Sequence, residues 1–224
     1  MGNGFLLIDK PKGWTSFDVV ARLRTITGIK KIGHAGALDP LATGLLIVAI
    51  GREATKRISH YVKLSKVYTT RTKLGEVSDS YDADGRVKFF SEQKISREQI
   101  DKALEKFTGS QQQVPPMFSA KKVKGKKLYE LARQGKEIKR QPAEIIISKL
   151  EIEDFSYPWL ELLISCSSGT YVRSLVHDIG QELGTGAVVY ELRRLSIGDF
   201  SVEKATQLDQ LNQENWTQFL WPSK

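Results

Sequence analysis

The chain has 224 residues and a formal net charge of +8, because 34 Lys and Arg residues face 26 Asp and Glu residues. This length is enough for one large domain or two small ones around a buried core, and its 40% hydrophobic and 27% charged content is typical of a globular protein. The single cysteine, Cys166, excludes a disulfide framework and a multi-cysteine zinc site.

The hydropathy of the chain also limits the cellular locations that we expect for the protein. The longest uninterrupted apolar run, Leu45 to Ile50, is far shorter than the ~20 residues that span a bilayer. The apolar stretch Phe5 to Ile8 is short and has no basic segment before it, which is unlike a secretory signal. We therefore expect a soluble, cytoplasmic protein with no membrane partner.

The positive charge is concentrated in one segment. Between Lys121 and Arg140 there are nine Lys or Arg residues and only two acids, Glu130 and Glu137, so this stretch carries a net charge of +7. A one-sided charge of this kind indicates a surface for a polyanion such as a nucleic acid. An ordinary solvated basic loop is the alternative at this point, because Lys-rich segments are a weak signal.

In the first half of the chain, hydrophobic spacing and turn residues predict alternating strands and helices. Ser16 is predicted to be the N-cap of a helix that ends at Gly28. Further predicted elements are a strand at 5–8, a buried strand at 45–50, a helix at 55–64, an exposed strand at 66–74, a loop at 78–85 and a strand at 86–90.

The second half begins with a capping box, Ser96 to Gln99, which predicts a helix whose apolar stripe includes Ile100, Leu104 and Phe107. The remaining predictions are helices at 128–134 and 170–183 and strands at 145–155, 159–166 and 187–195. Strands dominate and are not regularly separated by helices, so an α+β fold with a mixed or antiparallel sheet is favoured over a doubly wound fold.

Several common chemistries lack their sequence signatures. The chain has neither a G-x-x-x-x-G-K-[ST] phosphate loop nor a G-x-G-x-x-G turn after a strand, which argues against nucleotide-dependent chemistry. The histidines His34, His60 and His177 are too scattered to predict a zinc site. The residues alone therefore give no support for a nucleotide cofactor or a zinc site.

The most unusual segment is Gly33 to Gly44, GHAGALDPLATG, in which Asp39 stands directly before Pro40. Glycines allow sharp turns and close approach of a ligand, and the proline biases Asp39 away from a helix. A carboxylate displayed by a rigid turn is a candidate nucleophile or general base. Asp-Pro is also a common way to begin an ordinary turn, so the residues alone leave both interpretations open.

The string GHAGALDPLATGLL at 33–46 resembles the catalytic motif of the bacterial TruB-type tRNA pseudouridine synthases. Other family motifs follow in the same order and at similar spacing, so that the resemblance covers residues 4 to 211. They are KPKGWTS at 10–16, KVY at 66–68, SDSYDADG at 78–85, PPMFSAKKVKGKKLYELARQG at 115–135, SSGTYVRSLVHDIG at 167–180 and ELRRL at 191–195.

The resemblance implies a fold and a reaction. The fold would be an α+β pseudouridine-synthase domain over 1–211 with a mostly antiparallel central sheet and an inserted basic RNA-binding thumb at about 109–142. Residues 212–224 would be a short tail in place of the usual C-terminal PUA domain. The enzyme would convert the T-loop uridine at position 55 of tRNA to pseudouridine by breaking its N-glycosidic bond, rotating the flipped base and rejoining it through carbon, without a metal or cofactor.

The resemblance also implies which residues catalyse the reaction. Asp39 would be the essential carboxylate, acting at either the ribose or the base. Tyr68 matches the tyrosine that packs against the target uracil and removes the C5 proton, and Arg173 matches the arginine that pairs with the aspartate. Without the motif, Tyr68 would be an ordinary strand aromatic and Arg173 an ordinary surface cation on a helix.

Further residues would bind the substrate by the same resemblance. They are His34, Asp82, Tyr171 and Leu192 around the flipped nucleotide and Lys121, Lys126 and Lys127 in the thumb. The partner would be the T-arm of tRNA, and we expect a monomer that needs no guide RNA or protein partner. Two alternatives stay open: a non-catalytic tRNA-binding or tRNA-folding protein on the same scaffold, and the guide-dependent relative that modifies ribosomal RNA.

Overall fold

The computed structural model describes residues 3–119, 121–123, 125–132 and 134–221, and for Lys122, Lys126 and Lys127 it describes the backbone only. The α-helices of these ranges are α1 (Ser16–Thr27), α2 (Arg52–Val62), α3 (Arg97–Lys106), α4 (Leu128–Ala132) and α5 (Val172–Glu182). The strands are β1 (Gly4–Lys10), β2 (Ile32–His34), β3 (Thr43–Ile50), β4 (Lys66–Leu74), β5 (Glu76–Ser78), β6 (Val87–Phe89), β7 (Gly109–Gln113), β8 (Lys122–Val123), β9 (Lys126–Lys127), β10 (Ala143–Ser156), β11 (Trp159–Cys166), β12 (Ala187–Ile197) and β13 (Phe200–Ser201).

Two compact units make up the chain. The first unit contains the described residues up to Tyr68 and those from Leu192 onward, and the second unit contains Thr69–Glu191. Strands β4 and β12 each contribute residues to both units. None of the helices within the described ranges is long and apolar enough to cross a membrane.

In the first unit, β3 is the central strand of a small sheet. It pairs antiparallel with β1 and with β2, and parallel with β12 at Thr43 and Gly44. Because β3 is covered on both faces, its apolar residues run without alternation. One face packs against the apolar stripe of α1, which includes Val19, Leu23 and Ile26. The other face packs against Ala54 of α2 and Ile197 of β12.

The end of the first unit closes back on this core. Trp216 is buried with the α1 layer, and Phe219 and Leu220 pack against the same cluster. Trp221 pairs through its backbone with Phe5 of β1, at N–O distances of 2.8 and 3.0 Å. These aromatic and apolar residues near the end of the described chain therefore pack on the first unit.

In the second unit, the strand order is β4-β11-β10-β7, and β10 pairs antiparallel with both β11 and β7. The pairing of β7 and β10 joins Gln113 to Ala143, so the segment 114–142 leaves and returns at adjacent strands. Together the described strands and helices form a mixed α+β fold with a largely antiparallel sheet, which confirms the predicted fold class. The predicted domain bounds stay a prediction.

Two local predictions are wrong, for physical reasons. Strand β4 is not exposed, because every second residue from Lys66 to Leu74 is buried. Its threonines are polar in the sequence, yet Thr70 is buried and donates its hydroxyl to the Glu191 carbonyl at 2.8 Å. The cap of α1 is Thr15 rather than Ser16: Thr15 and Asp18 form a reciprocal capping box.

Candidate active site

The loop between β2 and β3 presents Asp39 in the first unit. Asp39 is partly exposed, whereas Leu38 and Leu41 on either side of it are buried. The Ala42 amide donates to the Asp39 carbonyl at 3.1 Å, which closes a turn around Pro40. The carboxylate therefore stands at a corner whose two flanks are fixed in the core.

Hydrogen bonds from two residues of the segment 10–16 hold this corner. The Ser16 hydroxyl accepts from the Leu38 amide at 2.8 Å and lies 3.2 Å from the Leu38 carbonyl, to which it donates. On the other side, the Gly13 amide donates to the Pro40 carbonyl at 2.8 Å. Both residues adjacent to Asp39 are thus anchored, and the anchors belong to the KPKGWTS segment that resembles the family.

A third anchor, Arg194, escaped the sequence analysis. It is 1% exposed and donates from Nε to the Leu45 carbonyl at 2.7 Å and from Nη2 to the Gly36 carbonyl at 3.2 Å. A buried guanidinium is costly unless its donors are satisfied, so these bonds fasten both ends of the loop. The signal was present in ELRRL, because adjacent residues of a strand point to opposite faces and one arginine must face inward.

The outward arginine of that pair, Arg193, donates from Nη2 and Nη1 to the two carboxylate oxygens of Asp9 in β1, at 2.7 and 3.0 Å. This bidentate pair resembles the fork geometry that makes arginine–carboxylate contacts specific. It ties β12 to β1 at the level where β3 begins. The strand that starts directly after the Asp39 loop is therefore held from both sides.

Of the other predicted residues in this unit, His34 ends β2 and is half-buried. Burial lowers the pKa of His34 below its ordinary value of 6.5, and the positive charge of Arg194 lowers that pKa further. The imidazole is therefore neutral at pH 7. Its Nδ1 is buried and has no hydrogen-bond partner among the described residues. Tyr68 on β4 and Leu192 on β12 are both buried.

In the second unit, Arg173 and Asp82 form a buried ion pair. Arg173 Nη1 lies 3.1 Å from Asp82 Oδ2 and donates to the Ser80 carbonyl at 2.8 Å. Arg173 Nη2 donates to the Phe118 carbonyl at 2.7 Å, and the Ser80 hydroxyl donates to Asp82 Oδ1 at 2.5 Å. A buried pair needs such additional bonds to offset its desolvation.

The structure thus brings together two residues that the sequence analysis assigned to separate roles. Asp82, predicted to contact RNA, holds Arg173 from the loop after β5. The spacing of the sequence does not identify Asp82 as the partner of Arg173, because Asp79, Asp82 and Asp84 lie in one short segment. The predicted pairing of Arg173 with Asp39 and the RNA contact of Asp82 stay predictions.

Tyr171 precedes α5 and is fixed through its backbone. Its amide donates to Gln113 Oε1 at 2.8 Å, and its carbonyl accepts from Gln113 Nε2 at 3.0 Å. Gln113 is buried at the end of β7. This reciprocal pair of hydrogen bonds fixes the N-terminus of α5, two residues before Arg173.

The basic segment 121–140 contains a short hairpin, β8 and β9, followed by α4. Lys121, Lys136 and Lys139 are exposed, whereas Arg140 is partly buried and bonded to Glu137 and to the Pro115 carbonyl. The side chains of Lys126 and Lys127, which were predicted to bind RNA, lie outside what the structure describes. Among the described residues, no group of three or more His, Cys, Asp and Glu side chains has an arrangement that could hold a metal ion.

Comparison with known proteins connects these features to a family. Residues 24–172 match the TruB family pseudouridylate synthase (N terminal domain), and residues 173–220 match the tRNA pseudouridylate synthase B C-terminal domain. The chain belongs to the TruB family of pseudouridylate synthases. Its Asp39 loop and its basic segment both lie within the N-terminal match, and Arg173 is the first residue of the C-terminal match.

Similar proteins agree with this assignment. A tRNA pseudouridine synthase B of Clostridium novyi (strain NT) is 45% identical over 97% of this chain and 75% of its own length. One of Chlamydia abortus (strain DSM 27085 / S26/3) is 48% identical over 90% of this chain and 85% of its own. This membership makes the chain an isomerase of the pseudouridine synthase class.

Solved structures support the fold independently. A Cbf5–Nop10–Gar1 complex contains a chain that is 26% identical, with a TM-score of 0.75 over 98% of this chain and 60% of that chain. An H/ACA RNP bound to a substrate RNA containing 2'-deoxyuridine gives 26% identity and a TM-score of 0.69, over 92% of this chain and 51% of that chain. The chain thus spans little more than half the length of these structural relatives.

Proposed function

We propose that this protein is a stand-alone tRNA pseudouridine synthase that isomerises the T-loop uridine at position 55. The observation that carries the proposal is Asp39: a partly exposed carboxylate on a corner fixed at both flanks, in a chain of the TruB family. Curated relatives similar over 90% or more of the chain carry the name tRNA pseudouridine synthase B, which favours tRNA as the substrate.

Fixed geometry is what such a carboxylate needs. A group held in position before the substrate arrives loses little entropy in the reaction, and this is worth several orders of magnitude in rate. The anchors on Leu38 and Pro40 belong to Ser16 and Gly13, so the backbone on both sides of Asp39 is held by hydrogen bonds. We assign to Asp39 the essential role at the ribose or the base.

Tyr68 and Arg173 complete the proposed catalytic set. We assign Tyr68 to pack on the uracil and to remove the C5 proton, and Arg173 to pair with the Asp39 carboxylate. The reaction breaks the bond from N1 to the ribose and forms a bond from C5 to the same ribose carbon. The proton leaves C5 and N1 gains one, so the reaction balances without an external reagent.

Substrate access requires that the uridine leave its stack, at a cost of a few kcal/mol. We propose that His34, Tyr171 and Leu192 line the space around the flipped nucleotide. The basic segment 121–140 would offset that cost through contacts with the phosphate backbone of the T-arm. Lys121, which is exposed, and Lys126 and Lys127 belong to this segment.

The test is tritium release from T-arm RNA that contains 5-³H-uridine, with purified protein and no guide RNA or partner. We expect turnover by the wild type and a loss of at least about a thousandfold in Asp39→Asn, because an isosteric amide cannot act as a nucleophile or base. Asp209→Asn is the matched control, since Asp209 is exposed and lies outside the loop. It should react at the wild-type rate.

The outcomes separate the candidate functions. Turnover that survives in Asp39→Asn would remove Asp39 from its role. RNA binding without turnover in the wild type would favour the non-catalytic tRNA-binding protein on the same scaffold. Turnover that appears only with an added guide RNA would contradict the stand-alone enzyme.

A further inference from the structure

Tyr81 has a backbone conformation that side-chain-bearing residues rarely adopt. Its φ is +66°, in the left-handed region, where a residue with a Cβ is strained. Such strain persists only when the surroundings hold it, and it is concentrated at functional sites. Here the backbone is held on both sides, since the Tyr81 amide donates to Ser78 at 3.2 Å and its carbonyl accepts from Val189 at 3.1 Å.

The consequence of this turn is that the two residues beside Tyr81 both reach Arg173. The Ser80 carbonyl accepts from Arg173 Nη1 at 2.8 Å, and Asp82 Oδ2 lies 3.1 Å from the same nitrogen. A backbone acceptor from one neighbour of the left-handed residue and a side-chain acceptor from the other thus meet on one guanidinium.

The ring of Tyr81 has a partner on the same helix as Arg173. It stacks on His177 with a centroid distance of 3.9 Å and an interplanar angle of 14°. His177 is four residues after Arg173 in α5, so the two side chains lie one above the other on one face of the helix. Helix α5 therefore contacts the loop after β5 at two points, through an ion pair and through an aromatic stack.

His177 is suited to stacking rather than to charge. Its Nδ1 is buried and has no hydrogen-bond partner among the described residues, and burial lowers the pKa of the imidazole. The neutral ring offers an apolar face to Tyr81, and parallel aromatic contacts of this kind contribute beyond their buried area. The catalytic set assigned above makes no use of either residue.

We propose that the Tyr81–His177 stack is a positioning element that sets the Ser80 carbonyl and the Asp82 carboxylate on Arg173. The inference rests on the proposed catalytic role of Arg173 and deepens it. Tyr81 and His177 touch no reacting atom in this scheme. They act by keeping the guanidinium in one orientation, so their loss should slow the chemical step and leave RNA affinity nearly unchanged.

The experiment uses the full chain and T-arm RNA, and it measures the single-turnover rate and the RNA dissociation constant separately. Tyr81→Phe keeps the ring and should react within about twofold of the wild type. Tyr81→Gly keeps the left-handed backbone and loses the stack, so its rate should fall about three- to tenfold. Tyr81→Ala loses both features and should fall further, while the dissociation constant in each variant stays within about twofold.

Changes on the helix side provide a matched pair. His177→Phe retains an aromatic face and should preserve the rate, whereas His177→Leu removes the face and should fall as far as Tyr81→Gly. Equal rates in all five variants would overturn the inference. So would a loss in Tyr81→Phe as large as that in Tyr81→Ala, or a loss expressed in RNA affinity alone.

A second readout does not depend on turnover. The side-chain Nη resonances of Arg173 in ¹⁵N-arginine-labelled protein, assigned with Arg173→Lys, should be sharp in the wild type and Tyr81→Phe. In Tyr81→Gly and His177→Leu they should broaden. If the wild type shows no turnover, the proposed function fails while this comparison still decides the positioning role; unchanged resonances would overturn it. Should Tyr81→Ala fail to fold, the glycine and leucine variants decide.

Discussion

Gly44, the second residue of β3, offers a sharp test of how the Asp39 loop is held. Its φ is +101°, and a Cβ added there would lie 2.3 Å from the Arg194 carbonyl oxygen and 2.7 Å from the Arg194 nitrogen. These are backbone atoms of the paired strand β12, so rotation of a side chain cannot relieve the contact. Gly44→Ala must therefore separate the two strands.

The magnitude follows from two contributions. A left-handed conformation costs a residue with a Cβ about 1–2 kcal/mol. The contact at 2.3 Å must open by about 1 Å to reach ordinary van der Waals distance, which disrupts the parallel pairing of Arg194 with Gly44 and of Arg193 with Thr43. Losing one or two ladder hydrogen bonds adds about 0.5–1.5 kcal/mol each. We expect the free energy of unfolding to fall by about 1.5–5 kcal/mol.

The matched control is Gly109→Ala. Gly109 has a nearly equal φ of +98°, but an added Cβ would meet nothing within 4 Å. It should show only the conformational cost, so that Gly44→Ala is less stable than Gly109→Ala by about 2 kcal/mol. Urea unfolding, followed by tryptophan fluorescence and by far-UV circular dichroism, measures the difference and tests whether both probes report one transition.

If Gly44→Ala is no less stable than Gly109→Ala, the close approach of β3 and β12 is not what holds this end of the loop. The rate of tritium release provides the functional counterpart. We expect it to fall in Gly44→Ala under conditions where the protein is still folded, because β3 begins directly after the loop that carries Asp39.

Two further predictions concern stability. Removing the Ser16 hydroxyl in Ser16→Ala leaves the buried amide and carbonyl of Leu38 without their partner, which should cost about 1–3 kcal/mol in urea unfolding and also slow turnover. A loss below about 1 kcal/mol, the cost expected for the cap variant Thr15→Ala, would contradict this. Burial raises the pKa of Asp178 from 3.8 to about 6, so the folded state favours the protonated carboxyl. The stabilisation from this group is therefore complete below pH 3.8 and is lost as the pH rises through about 6. Asp178→Asn should therefore be more stable than the wild type at pH 7.5, by on the order of 1 kcal/mol once the partial exposure of the group is allowed for. The difference should shrink toward pH 4, and equal urea midpoints at pH 7.5 would refute the assignment.

Local features were predictable where the interaction joins residues close in the chain. The capping box of Ser96 and Gln99 is present as expected, because it needs only one turn of backbone. The stop of α1 at Gly28 is likewise present, with φ at +69°. The pair Thr15 and Asp18 carries the same kind of signal, and its competition with Ser16 was decided by a distant partner, Leu38.

Burial of polar residues was not predictable in the same way. Thr70 and Thr72 lie in a strand with a polar composition, yet both are buried. Arg194 looks like Arg193 in the sequence, but one guanidinium is buried among loop carbonyls and the other binds Asp9 near the surface. Which face of a strand is covered depends on elements far along the chain, so composition alone misjudges it.

The sequence by itself determined the family, the α+β class and the loop that displays Asp39, because motif order, hydrophobic period and turn residues are local properties. Only the tertiary structure decided which atoms hold that loop. The tertiary structure likewise decided that Arg173 binds Asp82 and Ser80. Those contacts join residues up to 158 positions apart. A hydrogen bond depends on the distance and direction between two groups in space. For residues far apart in the sequence, folding sets that distance and direction.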